Sequence, residues 1–179
     1  GWRSMTDPFA PVGGEGSTSS PRGVPDERWA VVVPVPEDAP PAPTSHPGPG
    51  TLSARWTYRD EAGAVLGHVL RFDTGDGKTF RPLMLWRDRL SGKLAWKWRS
   101  WPAPRPLYGL DALADRPDAP VVVVEGEKAC EAARALLPGH VVVTSPGGAA
   151  APAKADWRPL AGRDVVVWPD NDDAGRRYA

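Results

Sequence analysis

Cysteine, histidine and long apolar runs are scarce in this chain of 179 residues. Its single cysteine, Cys130, excludes an intrachain disulfide and favours a reducing, cytoplasmic compartment. The three histidines lack the spacing of metal ligands, so we expect no zinc. No run of about 18 apolar residues is present, so we expect no membrane partner. Net charge is also absent, because 22 basic residues balance 22 acidic ones, and any recognition of nucleic acid therefore has to come from local patches.

Proline, in contrast, is abundant and unevenly distributed. Half of the 22 prolines lie within the first fifty residues, together with glycine and serine clusters. Such a segment cannot sustain the hydrogen bonding of a helix or a sheet. We therefore expect residues 1–50 to form a disordered Pro/Gly-rich tail, in which residues 29–33 could dock as an edge strand.

The pattern changes to short alternating runs between residues 51 and 105. Apolar and polar residues alternate, and the runs are interrupted by segments rich in aspartate and glycine at residues 60–63 and 73–77. Alternation with such breaks is typical of antiparallel hairpins. The sequence predicts a small β-rich module here, followed by a short helix at residues 110–114.

Residues 106–179 show a different alternation, typical of a parallel sheet with helices. Four consecutive valines at 121–124 predict a strand buried on both faces. A helix is predicted at residues 128–137, and further strands at 141–144 and 165–168, which together form an α/β unit with right-handed crossovers. Residues 175–179 are typical of a helix in its first turns, so we expect this domain to be incomplete at the C-terminus.

Acidic residues follow the first and third of these strands. Glu125 comes directly after the valines, and Asp170 and Asp172 follow Trp168-Pro169. Ligands of open parallel sheets bind at the carboxyl ends of the strands, so we expect these three carboxylates to lie close together. Like charges at close range repel unless a cation neutralises them. The sequence therefore predicts a magnesium site, in which manganese could take the place of magnesium.

Glycines near these acids predict close approach of a phosphate to the main chain. Gly126 follows Glu125, and Gly147 and Gly148 follow the second strand. A simple turn is the alternative explanation for Gly147 and Gly148. We expect Asp173 to be the N-cap of a helix beginning at Ala174, not a metal ligand.

The pairing of a strand-terminal Glu125-Gly126 with the later Asp170-Asn171-Asp172-Asp173-Ala174-Gly175 resembles the TOPRIM family, which is shared by DnaG-type primases, topoisomerases and OLD-type nucleases. The resemblance covers residues 121–179 and implies a Rossmann-like fold. Over a wider stretch the chain resembles the N-terminal part of phage and plasmid DNA primase-helicases.

The resemblance also implies roles for individual residues. Glu125 would be the general acid or base, Asp170 and Asp172 would hold magnesium together with Glu125, and Lys128 would contact a phosphate. The alternative for Lys128 is a solvated residue in the first turn of a helix. The implied activity is primer synthesis in DNA replication of a mobile element, with single-stranded DNA and nucleoside triphosphates as partners and a helicase domain or subunit nearby. A magnesium-dependent nuclease and a non-catalytic nucleic-acid-binding fragment are the alternatives.

Basic and aromatic residues interleave between residues 78 and 105, which indicates a possible template-binding surface. Basic groups contact phosphates, and aromatic rings stack on exposed bases. The alternative, which we favour, is a small β core built on tryptophan with the basic residues on its wet face. The candidate nucleic-acid-binding residues are Arg87, Arg89, Trp96, Lys97, Trp98 and Arg99.

Overall fold

The computed structural model describes residues 28–179, which form two sheets, three short α-helices and three single-turn 3-10 helices. The strands are β1 (Trp29–Val31), β2 (Thr51–Arg59), β3 (Val65–Thr74), β4 (Gly77–Asp88), β5 (Leu94–Lys97), β6 (Val121–Val124), β7 (Val141–Thr144) and β8 (Val165–Val167). The α-helices are α1 (Leu110–Asp115), α2 (Glu127–Leu136) and α3 (Asp173–Tyr178). The chain is thus a mixed α/β protein, with an antiparallel sheet followed by a separate parallel one.

The antiparallel sheet consists of β1 to β5, and its central strand is β4. β2, β3 and β4 are joined by tight turns at the two predicted breaks, so the hairpins predicted from alternation are confirmed. The last residues of β4 pair with β1 on one edge and with β5 on the other, since Trp86 has partners in both strands. The prediction that residues 29–33 dock as an edge strand is confirmed for the three residues of β1.

The parallel sheet has β6 in its centre, between β7 and β8. Every residue of β6 is buried, because hydrogen bonds to β7 and β8 occupy both of its edges and other elements cover both of its faces. The strands predicted at 121–124 and 141–144 are confirmed, and β8 is one residue shorter than predicted. Unlike β6, β8 leaves Val166 and Val167 exposed.

The side chains of β6 alternate between two hydrophobic cores. Val122 and Val124 pack with α2 and with aromatic side chains of the antiparallel sheet, including Trp56 and Tyr58. The opposite face, which includes Val121, packs against α1 and the segment that precedes β8. The first core contains residues of both sheets, so the two sheets are held against each other around α2.

Helix α2 matches its prediction closely, with one exception on its apolar face. It extends from Glu127 to Leu136 and buries Cys130 and Ala133. Leu136, which helical spacing places on the predicted apolar face, is exposed. Pro138 and Gly139 follow the helix, as expected for a helix end.

The proline-rich segment is described only from residue 28, and residues 1–27 lie outside the described part of the chain. From residue 32 to residue 50 the segment contains no helix or strand, as the prolines predict. It nevertheless lies on the antiparallel sheet, because the main-chain oxygen of Pro40 accepts a hydrogen bond from Trp96 Nε1 (2.7 Å) and Val35 N donates one to Val65 O (2.6 Å). The prediction of a free tail therefore does not hold for residues 28–50.

None of the helices within residues 28–179 is long and apolar enough to cross a membrane.

Candidate active site between the two sheets

Three loops leave the carboxyl ends of the parallel strands at one edge of the parallel sheet. The loop after β6 contains Glu125 and Gly126, the loop after β7 contains Gly147 and Gly148, and the loop after β8 contains Asp170. Parallel pairing places the ends of β6, β7 and β8 next to one another, which is where open sheets bind their ligands.

Glu125 and Asp170 are brought together directly. Glu125 Oε1 accepts a hydrogen bond from the main-chain nitrogen of Asp170 at 2.7 Å, although the two residues are 45 positions apart. This bond links the loop after β6 to the loop after β8 and orients the glutamate side chain. The structure therefore brings the Glu125 side chain to the main chain of Asp170, and the meeting of the three carboxylates of Glu125, Asp170 and Asp172 stays a prediction.

Gly175 makes that convergence sterically possible. It is buried in the first turns of α3, and a Cβ atom at this position would collide with the main-chain oxygen of Asp170 and with Glu125 Oε1. Only a residue without a side chain fits between these groups. The glycine that ends the acidic motif thus allows α3 to pack against the two acids.

Asp172 has a structural contact that was not predicted. Its Oδ1 accepts a hydrogen bond from Gly175 N at 2.7 Å, which makes Asp172 the N-cap of α3. The prediction that Asp173 is the N-cap is wrong: α3 begins one residue earlier than expected, and Asp173 in its first turn forms an ion pair with Arg176. An extended Asp172 backbone, with φ −139° and ψ −179°, has the usual geometry of a capping residue.

The acids at this edge suit an open magnesium site better than a closed protein cage. Within residues 28–179, no group of three or more His, Cys, Asp or Glu side chains is arranged to hold a metal together. Glu125 and Asp170 nevertheless both line one pocket. Magnesium retains several waters and is commonly held by one or two carboxylates plus substrate phosphates, so these two side chains fit that ion.

All three predicted phosphate-contacting glycines line the same pocket. Gly147 and Gly148 have positive φ angles of 99° and 53°, and a Cβ atom on Gly148 would lie 3.0 Å from the main-chain oxygen of Glu125. Glycine is therefore required at Gly148 by the close approach of two loops. A Cβ on Gly126 would meet nothing within 4 Å, so its absence leaves the main chain accessible there.

The antiparallel sheet forms the opposite wall of this pocket, which has a volume of about 480 Å³. It contributes Arg71, Lys78 and Phe80, which the register of β3 and β4 places on the sheet face that covers α2. Lys128, in the first turn of α2, adds a third cation from the parallel side. The pocket therefore combines carboxylates from the parallel side with cations from both the parallel side and the antiparallel sheet.

A largely buried carboxyl group also lines the pocket. Glu127, the first residue of α2, is only 6% exposed and accepts a hydrogen bond from Tyr58 Oη at 2.7 Å. Burial raises the pKa of Glu127, and burial together with the adjacent glutamate raises the pKa of Tyr58 well above its usual value. This hydrogen bond connects α2 to β2 and so fixes the pocket walls relative to each other.

The two tryptophans of the predicted nucleic-acid surface pack onto the antiparallel sheet. Trp96 and Trp98 contact the core around Leu70 and Phe72. The ring of Trp98 lies edge-on to His46 at 4.9 Å, and Trp96 donates its Nε1 hydrogen to Pro40. Their half-buried rings favour the interpretation of a tryptophan-based core over base stacking.

The basic members of that surface do not share one location. Lys97 Nζ lies 3.3 Å from the centre of the Trp29 ring, and Arg99 lies over the Trp86 ring at 4.7 Å, on the sheet face opposite to Trp96. Arg87 and Arg89 are exposed at the far end of β4. At about 3.3 Å per residue, Arg87 is about 30 Å along the strand from Lys78. Contact of these residues with nucleic acid stays a prediction.

Sequence reasoning missed the contribution of the antiparallel sheet to the pocket. Arg71, Lys78 and Phe80 belong to an ordinary alternating hairpin pattern, and nothing local distinguishes them from other surface residues of the module. The pattern around Tyr58 likewise indicates only a strand. A signal was available only for Gly175, whose fixed position after the aspartates was part of the motif.

Comparison of the chain with models of known protein families yields no match, and no curated protein matches its sequence.

Proposed function

We propose that this chain belongs to the TOPRIM family and catalyses magnesium-dependent nucleotidyl transfer, most specifically the synthesis of primers on single-stranded DNA as the N-terminal part of a primase-helicase. The observation that carries the proposal is the meeting of Glu125 with the Asp170 loop in a pocket that also contains cations. Carboxylates for a divalent ion beside cations for phosphates are the parts that phosphoryl transfer needs.

Glu125 and Asp170 would hold the magnesium ion, which supplies positive charge to phosphate oxygens when bound. The side chain of Glu125 is oriented by its hydrogen bond from Asp170 N, and its carboxylate has a second oxygen with which to accept a proton. In primer synthesis the proton comes from the ribose 3′-hydroxyl that attacks the α-phosphorus, and pyrophosphate leaves. Lys128 would bind a phosphate oxygen from the exposed first turn of α2.

The test is primer synthesis on single-stranded DNA with labelled nucleotides, comparing the wild type with Glu125→Gln. Loss of a positioned general base lowers the rate by about 10²- to 10⁴-fold, and we expect a loss of this size. Glu61→Gln is the matched control, because Glu61 lies exposed in the turn between β2 and β3. Equal activity of Glu125→Gln and wild type would contradict the proposal.

Two further outcomes of the same experiment separate the alternatives. Cleavage of labelled DNA when nucleotides are omitted, lost in Glu125→Gln, would identify a nuclease. Magnesium binding that is unaffected by Asp170→Asn and Asp172→Asn, together with no synthesis and no cleavage, would identify a non-catalytic fragment.

A further inference from the structure

We propose that the antiparallel sheet supplies the nucleotide-binding wall of this pocket, so that Lys78 and Arg71 contact the phosphates of a nucleoside triphosphate and Phe80 contacts its base. This inference rests on the proposed function and extends it to a module that carries none of the acidic motif. The three residues lie on one face of the hairpin formed by β3 and β4, since Arg71 pairs with Phe80 and Lys78 pairs with Asp73.

The first argument is charge. The parallel side brings Glu125 and Asp170 into the pocket, and a triphosphate brings several more negative charges. Lys128 alone on that side does not balance them. Glu127 of α2 adds a further acid, and Arg71 and Lys78 face these acids from the other sheet, so cations line both walls of the pocket.

The second argument is the geometry of Arg71. Its Nε donates to Asp73 Oδ1 at 2.8 Å, and its side chain is 22% exposed. The bond to Asp73 occupies Nε, whereas an oxyanion is usually bound by the terminal nitrogens of the guanidinium fork. Arg71 is thus held in place at the pocket wall, while Lys78, exposed at the start of β4, can follow a flexible phosphate chain.

The third argument is the apolar part of the lining. Phe80 is half-buried beside Trp56, with ring centres 6.1 Å apart and ring planes at 26°, so one ring is backed by another. Ala129 and Ala132 line the pocket from α2. A base that stacks on an aromatic side chain gains about 1–3 kcal/mol.

The size of the pocket favours a mononucleotide over a strand of nucleic acid. Its volume of about 480 Å³ lies within the range of roughly 300–1,000 Å³ that is typical of small-molecule sites. A single strand would instead need an extended basic groove. The exposed Arg87 and Arg89 lie at the other end of β4 and do not line this pocket.

The experiment is a titration of the chain with ribose-labelled fluorescent ATP, followed by anisotropy, in magnesium and again in EDTA. We expect Lys78→Met to raise the dissociation constant about tenfold, which is the loss of one charge-assisted contact. Lys93→Met, in the exposed turn between β4 and β5, is the matched control and should bind like the wild type. Equal binding by Lys78→Met and Lys93→Met would overturn the inference.

Phe80→Leu keeps an apolar side chain on the sheet but removes the ring. We expect this variant to bind ATP several-fold more weakly and to bind inorganic triphosphate, measured by competition, as the wild type does. If the binding of both ligands weakens by the same factor, the role assigned to Phe80 is overturned. If Lys78→Met weakens the binding of a labelled single-stranded oligonucleotide and leaves the binding of ATP unchanged, the wall binds a strand and the inference is wrong.

Failure of this inference and failure of the proposed function give different results. Primer synthesis by Glu125→Gln reports on the proposed function, and ATP binding by Lys78→Met reports on the nucleotide-binding wall. Loss of synthesis in Glu125→Gln with unchanged ATP binding in Lys78→Met would reject only the nucleotide wall. Full synthesis in Glu125→Gln would reject the proposed function, and the EDTA titration would still report on Lys78.

Discussion

The two sheets of this protein contribute to one pocket in different ways. The parallel sheet has strands of three or four residues, built almost entirely of valine, and its functional groups follow the strand ends. The antiparallel sheet has strands of up to 12 residues, and its pocket residues lie within the strands. Acids therefore come from loops at the end of a buried scaffold, whereas Arg71 and Lys78 come from the face of a hairpin.

This difference explains which parts of the site were predictable. Glu125 could be placed because a run of buried valines fixes where the strand ends, and parallel strands end at the same edge of a sheet. Arg71 and Lys78 could not, because their position in the pocket depends on how the antiparallel sheet packs on α2. That packing is a long-range contact, carried by Trp56 and Tyr58 against Val122 and Val124.

We expect the largest effect from a substitution at Gly175, which packs α3 against the loops that carry the acids. Gly175→Ala places a methyl group against Asp170 O and Glu125 Oε1, so α3 has to move away from the acids. Overpacking of this kind costs about 1–3 kcal/mol. We expect that loss in the free energy of unfolding, measured with urea, together with loss of primer synthesis.

Gly139→Ala is the control for that substitution, because a Cβ at Gly139 would meet nothing within 4 Å. Wild-type activity in Gly175→Ala would show that α3 does not constrain the two acids.

The next effect concerns the hydrogen bond that joins β2 of the antiparallel sheet to α2. Tyr58→Phe removes the hydroxyl that donates to Glu127 and leaves a buried carboxyl group without that partner. The expected loss is about 1–3 kcal/mol in the free energy of unfolding. Unfolding of Glu127→Gln provides the comparison, since an amide oxygen can still accept a hydrogen bond from Tyr58. Equal stability of Tyr58→Phe and the wild type would contradict a role for this bond.

A pH-dependent effect is expected within the antiparallel sheet. His68 Nε2 accepts from Arg55 at 2.6 Å, because arginine can only donate, and Nδ1 lies 3.1 Å from Thr57 Oγ1. Burial, followed by the charges of Arg55 and Arg59, lowers the pKa of His68 to about 4. The unfolded chain therefore binds a proton between pH 6.5 and pH 4 that the folded protein does not.

The free energy of unfolding should consequently fall as the pH is lowered from about 6.5 to 4, by up to about 1.4 kcal/mol for each pH unit. Urea unfolding of the wild type and of His68→Gln across this pH range measures this fall in the free energy of unfolding. We expect a smaller fall in the variant; parallel curves would show that His68 does not contribute.

The smallest effect is expected at the far end of β4. Arg87 is exposed, and Arg87→Ala should change the free energy of unfolding by no more than about 0.5 kcal/mol. Binding of single-stranded DNA by this variant decides whether the end of the sheet remote from the pocket contacts a template. Weaker binding with a reduced dependence on salt would confirm a phosphate contact at Arg87, and unchanged binding would limit the sheet to its role at the pocket.

The acidic motif shows a second limit of sequence reasoning. Alternation in an extended segment did not predict that Asp172 is the cap of a helix that begins at Asp173. A cation shared by Asp170 and Asp172 stays a prediction. The start of a six-residue helix cannot be fixed to one residue from the sequence when all four of the consecutive residues Asp170, Asn171, Asp172 and Asp173 are able to cap it.

Manganese binding, followed by electron paramagnetic resonance, tests the meeting of the two acids most directly. We expect the wild type to bind the ion and both Glu125→Gln and Asp170→Asn to weaken it by about tenfold or more. Asp173→Asn should bind like the wild type, because Asp173 is paired with Arg176. Equal manganese affinity in the wild type, Glu125→Gln and Asp170→Asn would contradict a shared metal site at the ends of β6 and β8.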